Sequence, residues 1–413
     1  MKGCVFLVFC FWALLSRATD LPPPDEVKNA LKNSPLVKES LAGIDLEKTN
    51  DSRLKSGPYE YTVQMTGGKR DDKGIRESLN EWSLQVSRPI RFPGKGSIDG
   101  EIGKQGMVSA ALAHGDAMHE SAKSLLKLWF AWLREKAQEN EWQNQARLLQ
   151  EETAMVEKRV KAGDAPKLEL TLARAASDQA RFSELQAGMR EAVAAKMLTV
   201  SFPEISLPEN PVPDEPQPLE KSLDYWKDAI LSQNHAVLLA KSEAKKAQLL
   251  ASRSRAEETP DPTLGISYSS EYGGSQQVVM GMLSFPLPGK YRQAATQGAT
   301  ASAEMAGMRE LDISRRAEAE VSSNYIMAKA SYNGWEKSRE AAKGMIKNAE
   351  LVSSAYALGE ASLGELLAAR RLSIESILAS KLARIDALET RYRLMVDAHL
   401  LWDFDEGDNT RQQ

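Results

Sequence analysis

The side chains best suited to metal or acid–base chemistry are the four histidines, His114, His119, His235 and His399. They are scattered. His114 and His119 lie five apart, which does not put both on one helix face as an i, i+4 pair would. Met118 between them makes a copper or silver site chemically conceivable, but a packed or surface role is the simpler account, and no metal site is expected. The glycine-rich stretch "GKGSIDGEIGKQG" (Gly94–Gly106) fits neither a dinucleotide fingerprint nor a P-loop, because Gln105 follows Lys104 where Ser or Thr is required. It reads as a flexible strand-to-helix transition. No catalytic constellation emerges and no cofactor is implied, so the chain does not read as an enzyme.

With no reactive cluster to position, the elements themselves must carry the function. The chain has 413 residues, 42% hydrophobic, with a net charge of −4. It therefore has enough apolar material for a core and no basic field for nucleic acid. Residues 1–18 read as a secretory signal: Lys2, an apolar stretch from Cys4 to Leu15, then Ser16-Arg17-Ala18 with small residues at the recognition positions. Cys4 and Cys10 both fall inside it, so the exported chain is expected to hold no thiol and no disulfide.

Proline placement divides the rest, because an interior proline costs a helix about 3 kcal/mol. "FPEISLPENPVPDEPQPLE" (Phe202–Glu220) reads as an extended linker between residues 19–201 and 221–402, with a polar tail at 403–413. The two halves match in order. Each has an early helical stretch, from Val27 and from Trp226, then a strand hairpin at about 58–90 or 260–287. Each hairpin exits through Ser-x-Pro and Pro-Gly-Lys, "VSRPIRFPGK" or "LSFPLPGK", into long helices at 97–200 or 291–400. The helical breaks align too, "GDAPKLELTLAR" (Gly163–Arg174) with "GEASLGELLAAR" (Gly359–Arg370). This is a tandem duplication of helix, two strands and two long helices.

The long segments carry 3/4 apolar spacing, as in Trp142, Leu149 and Val156, or Ile374, Leu378, Leu382, Ile385 and Leu388. Such seams belong to coiled coils. Gly359 is expected to end one helix in the left-handed conformation, and Glu360 to favour the start of the next. The strands alternate: Tyr59, Tyr61, Val63 and Met65 against Glu60, Thr62, Gln64 and Thr66; Trp82, Leu84 and Val86 against Ser83, Gln85 and Ser87. Leu264, Ile266 and Tyr268 alternate likewise with Thr263, Gly265 and Ser267, while Gln276–Phe285 is apolar on both faces. "GGKRDDKGIRES" and "EYGGSQ" read as the polar hairpin loops. If the apolar face meets lipid, four strands cannot close a barrel and open edges are forbidden there, so several chains must pool their hairpins. Two copies would give eight strands and three would give twelve. The alternative is a soluble periplasmic coiled-coil adaptor or scaffold, with the strands packed on helices.

The duplicated layout, "PDPTLGISY", "LSFPLPGK" and "YALGEASLGELLAAR" together resemble the TolC family of outer-membrane efflux factors, including its heavy-metal, cobalt–zinc–cadmium-type branch. The resemblance spans nearly the whole exported chain, most specifically residues 260–400. It implies a mainly α protein with a small β part: a homotrimeric long-helix coiled-coil tunnel in the periplasm and one shared 12-stranded barrel in the outer membrane, four strands per chain. It implies a passive exit duct of an efflux or secretion system, fed by an inner-membrane RND-type pump through a periplasmic adaptor (membrane fusion) protein that packs on the helix turns at Gly163 and Gly359. It also implies a pore constriction. Glu365, six residues after the turn glycine, matches a ring-forming acid, while Ala368 stands where some relatives carry a second acid. Arg370, Glu169 and Arg174 are the matching candidates for closed-state links. Whether the cargo is a metal ion, a drug or a protein is left open.

Overall fold

A computed structural model describes residues 20–74 and 76–402; the expected signal segment and the polar tail at 403–413 lie outside the described residues. The first half runs α1 (Pro24–Asn33), α2 (Pro35–Ser56), β1 (Thr62–Asp72), β2 (Glu77–Pro89), α3 (Lys95–Ala162) and α4 (Lys167–Ser201). The second runs α5 (Leu223–Leu231), α6 (His235–Ala256), β3 (Thr263–Glu271), β4 (Gln276–Ser284), α7 (Lys290–Leu358) and α8 (Leu363–Asp397). Equivalent helices agree in length: α2 and α6 have 22 residues, α3 and α7 have 68 and 69, and α4 and α8 have 35. Residues 202–222 between them carry no helix or strand. Among the described residues no helix is long and apolar enough to cross a membrane.

Three expectations need correcting. The early helical stretches are each split, at Ser34 before Pro35 and at residues 232–234, where the Asn234 side chain caps α6 by accepting from the Val237 amide at 3.0 Å. The glycine-rich segment is no flexible transition, because α3 starts at Lys95. Two of its glycines let neighbours approach: a Cβ on Gly103 would stand 2.1 Å from the Asp51 carboxylate, and one on Gly106 2.2 Å from that of Glu47. Finally, the polar "GGKRDD" is strand rather than loop, so β1 and β2 reach 11 and 13 residues and are long enough to span a bilayer.

The chain forms two compact units. The unit of residues 35–121 and 227–322 holds an antiparallel sheet in the order β1-β2-β3-β4, with β1 and β4 as unpaired edges. Its register puts Val63 opposite Val86, Val86 opposite Ile266, Leu84 opposite Tyr268 and Leu264 opposite Leu283. One face is therefore apolar across these positions, with Arg88 standing on it opposite Leu264. The other carries Gln64, Gln85, Ser87 and Ser267, joined by Met280 and Met282 from β4. The apolar face is not covered: Val63, Met65 and Ile266 are 65%, 74% and 65% exposed. Where strands meet helices, Asp261 accepts from the Tyr59 hydroxyl, the Phe92 amide and Lys95 Nζ at 2.8–2.9 Å. Burial pushes the Asp261 carboxyl up, but these donors outweigh it and hold the group below the usual range.

The unit of residues 20–34, 122–226 and 323–402 is helical. Trp129, Phe130, Trp132 and Leu133 of α3 are fully buried in it, with the Trp129 indole donating to the Asp20 carbonyl at 2.7 Å. Towards the helix turns the expected seams close: Val156 packs with Ala173, Leu363 and Leu366, and Ala146 with Leu149 and Ala180. On α4, by contrast, Phe182, Leu185, Met189, Val193, Met197 and Val200 form a stripe at 3/4 spacing that stays more than half exposed.

Candidate functional site

Both turns of the helical unit use the same backbone device. Gly163 and Gly359 adopt φ of 83° and 79°, the left-handed region that glycine enters without a Cβ clash. The amide after each glycine bonds back to the last helical turn, Asp164 to the Arg159 carbonyl and Glu360 to that of Ala355, each at 2.8 Å. The glycine amides bond to Val160 and Tyr356. These are paired Schellman closures, as expected for Gly359.

The helices that follow start differently. α4 begins behind Pro166 with no side-chain cap. α8 begins with a full capping box: the Ser362 hydroxyl accepts from the Glu365 amide, and the Glu365 carboxylate accepts from the Ser362 amide at 2.7 Å and its hydroxyl at 2.8 Å. The start of α8 is thus stabilised by Ser362 and Glu365, not by Glu360, which lies before the cap. The bond from the Ser362 amide, followed by that from its hydroxyl, holds the Glu365 carboxyl below its ordinary value, so an exposed, ionised acid stands at this turn.

Of the other candidates, Glu169 and Arg370 bridge helices. Tyr356 of α7 donates to Glu169 of α4 at 3.0 Å and accepts from Arg159 of α3 at 2.7 Å, with the guanidinium carbon 5.1 Å from its ring centre. Burial, then the hydrogen bond to Glu169, raises the Tyr356 hydroxyl. Arg370 of α8 grips Glu152 of α3 through Nε at 3.0 Å and Nη2 at 2.9 Å, and the second Glu152 oxygen is buried without a hydrogen bond. Arg174 makes only a loose 3.7 Å approach to Glu157, which is also paired with Lys161. Glu365 contacts none of these groups. Tyr356, Arg159 and Glu152 were missed from sequence: their spacing is that of ordinary seam positions, and nothing local marks their partners about 200 residues away.

Elsewhere, His114 Nδ1 lies 2.9 Å from the Ser40 hydroxyl and the His119 and His235 rings are 6.2 Å apart. Among the described residues no group of three or more His, Cys, Asp or Glu is placed to hold a metal.

The fold, a four-stranded sheet with paired helices of this length, is similar to that of several solved outer-membrane channels. The solved structures that share it include the Campylobacter jejuni CmeC outer membrane channel, at a TM-score of 0.77 and 14% identity over 94% of this chain and 87% of that one. The Vibrio cholerae outer membrane protein VceC matches at 0.74 and 14% over 91% and 95% of the two chains, and a Pseudomonas aeruginosa membrane protein at 0.76 and 17% over 94% and 92%. No protein-family profile and no curated protein sequence matches the chain.

Proposed function

We propose that this chain is the outer-membrane exit duct of a tripartite efflux or secretion system. It acts as a homotrimer in which three four-stranded sheets close one 12-stranded barrel and the helical part lies in the periplasm. The observation that carries this reading is the sheet itself. It exposes a broad apolar face and leaves β1 and β4 unpaired, an arrangement that lipid tolerates only when other strands seal the edges. A soluble adaptor would cover that face with its own helices, and Met65 and Ile266 are instead 74% and 65% exposed. The bare stripe from Phe182 to Val200 on α4 supplies a second surface for neighbouring copies.

The duct is passive. An inner-membrane pump supplies the energy, and a periplasmic adaptor docks on the turns at Gly163 and Gly359. Three copies of Glu365 around a narrow aqueous bore would favour cations and repel anions. The Arg370–Glu152 pair and the Arg159–Tyr356–Glu169 bridge tie each chain's helices together and act as closed-state links. Arg174 contributes least. Purified protein reconstituted in planar bilayers should form cation-preferring channels, and Glu365→Gln should lower that preference. Channels unchanged by the substitution remove Glu365 from the constriction, and protein that never conducts removes the duct.

A further inference from the structure

The apolar face of the sheet is not uniform. Near the helix-proximal ends of the strands it dips into an open groove of about 660 Å³, framed by Leu264, Ile266 and Leu283. That volume lies within the range of small-ligand sites, about 300–1,000 Å³. The dip exists because β4 places Gly281 opposite Ile266, where a Cβ would meet nothing within 4 Å. At the groove's rim stands Arg88, exposed on the same face and one residue from the end of β2. Its Nε donates to the Tyr59 carbonyl at 2.8 Å, and its guanidinium carbon sits 4.8 Å from the Tyr61 ring centre, with Nη1 3.5 Å from the Tyr61 hydroxyl. Among the described residues no carboxylate pairs with it. A cation left unneutralised on an apolar face, pinned by an aromatic ring at a strand end, complements an anion that brings its own hydrocarbon.

We propose that this groove seats one glycerophospholipid per chain, its phosphate on Arg88 and Tyr61 and one acyl chain over Gly281. The inference rests on the membrane reading above. A phosphate accepts from the open edge of the guanidinium in a charge-assisted contact, while the Leu264, Ile266 and Leu283 side chains flank the methylenes. Arg88 sits at the strand end that joins the helices, so the lipid belongs to the periplasmic leaflet.

The test has two stages. Trp82 is 42% exposed on the same face, so vesicles of phosphatidylglycerol with brominated acyl chains should quench its fluorescence, and Trp82→Phe should abolish that component. Native mass spectrometry then counts phosphatidylglycerol retained by the full exported chain after dilution in detergent. The wild type should retain about one per chain, with Arg88→Gln and Gly281→Leu each lowering retention about tenfold and Arg88→Lys falling between. Gly281→Leu fills the groove without touching the charge, so it tests the seat even if Arg88→Gln disturbs folding. Quenching with undiminished retention in both variants overturns the seat alone. Displacement of the lipid by inorganic phosphate at equal concentration also overturns it, in favour of a free-anion site. Absence of quenching in any vesicle overturns the seat and the membrane reading together.

Discussion

Lys95 and Lys290 stand at the same place in the two Pro-Gly-Lys elements, yet Lys95 is 1% exposed and paired with Asp261 at 2.9 Å and Glu257 at 3.3 Å, whereas Lys290 is exposed at the start of α7. The same divergence recurs at the turns. Glu169 and Glu365 each lie six residues after a turn glycine, but one accepts from Tyr356 on another helix and the other caps its own. Arg174 and Arg370 each lie eleven after it; one is loosely placed on the surface and the other holds a buried glutamate. Duplication has kept what the backbone needs, namely helix length and left-handed glycine, and has let the side chains specialise. Backbone requirements are local and identical in both copies, while each side chain's partner depends on what packs against it.

That contrast can be broken at each pair. The largest difference is expected at the lysines. Lys95→Ala removes a side chain that is 1% exposed and strips Asp261 of its charged donor, and should destabilise by about 3 kcal/mol or more in urea unfolding in detergent. Lys290→Ala should stay within about 0.5 kcal/mol. Equal effects would show that the two elements do the same job. Next come the arginines. Arg370→Ala leaves Glu152 buried with neither oxygen satisfied and should cost about 1–3 kcal/mol, whereas Arg174→Ala should leave the midpoint unchanged. The smallest effect is at the capping box and depends on pH. The folded Glu365 carboxyl lies below its ordinary value, so its contribution is complete above that ordinary value, about 4.3, and is lost as pH falls through the folded value. The thermal midpoint of Glu365→Gln should therefore lie below the wild type at pH 7 and converge with it on acidification. A constant gap would mean that the carboxylate is not what stabilises the turn.

How far the sequence spoke depends on whether a signal is local. Alternation from Tyr61 to Met65 and from Trp82 to Val86, the proline gaps, and Gly163 and Gly359 all act through their own neighbourhood, and the structure has the hairpins, long helices and turns where they point. Strand length was not legible in "GGKRDD", because a polar run at a rim shows no alternation and pairs only through its backbone. The helix start at Lys95 was obscured for a related reason: glycine disfavours helix locally, and only the closeness of Asp51 and Glu47 explains its presence. At the turns Glu365 and Arg370 were singled out through the family resemblance, while their partners were not. Ser362 needs a cap geometry that the resemblance does not specify, and Glu152 lies 218 positions from Arg370.

The central claim is that one chain has too little sheet to close a barrel. The most direct test is to express the full chain, separate outer membrane from periplasm, and measure the mass of the detergent-extracted particle by light scattering with the detergent subtracted. The account predicts protein in the outer-membrane fraction with three chains per particle. A monodisperse single chain released by osmotic shock and soluble without detergent would contradict it.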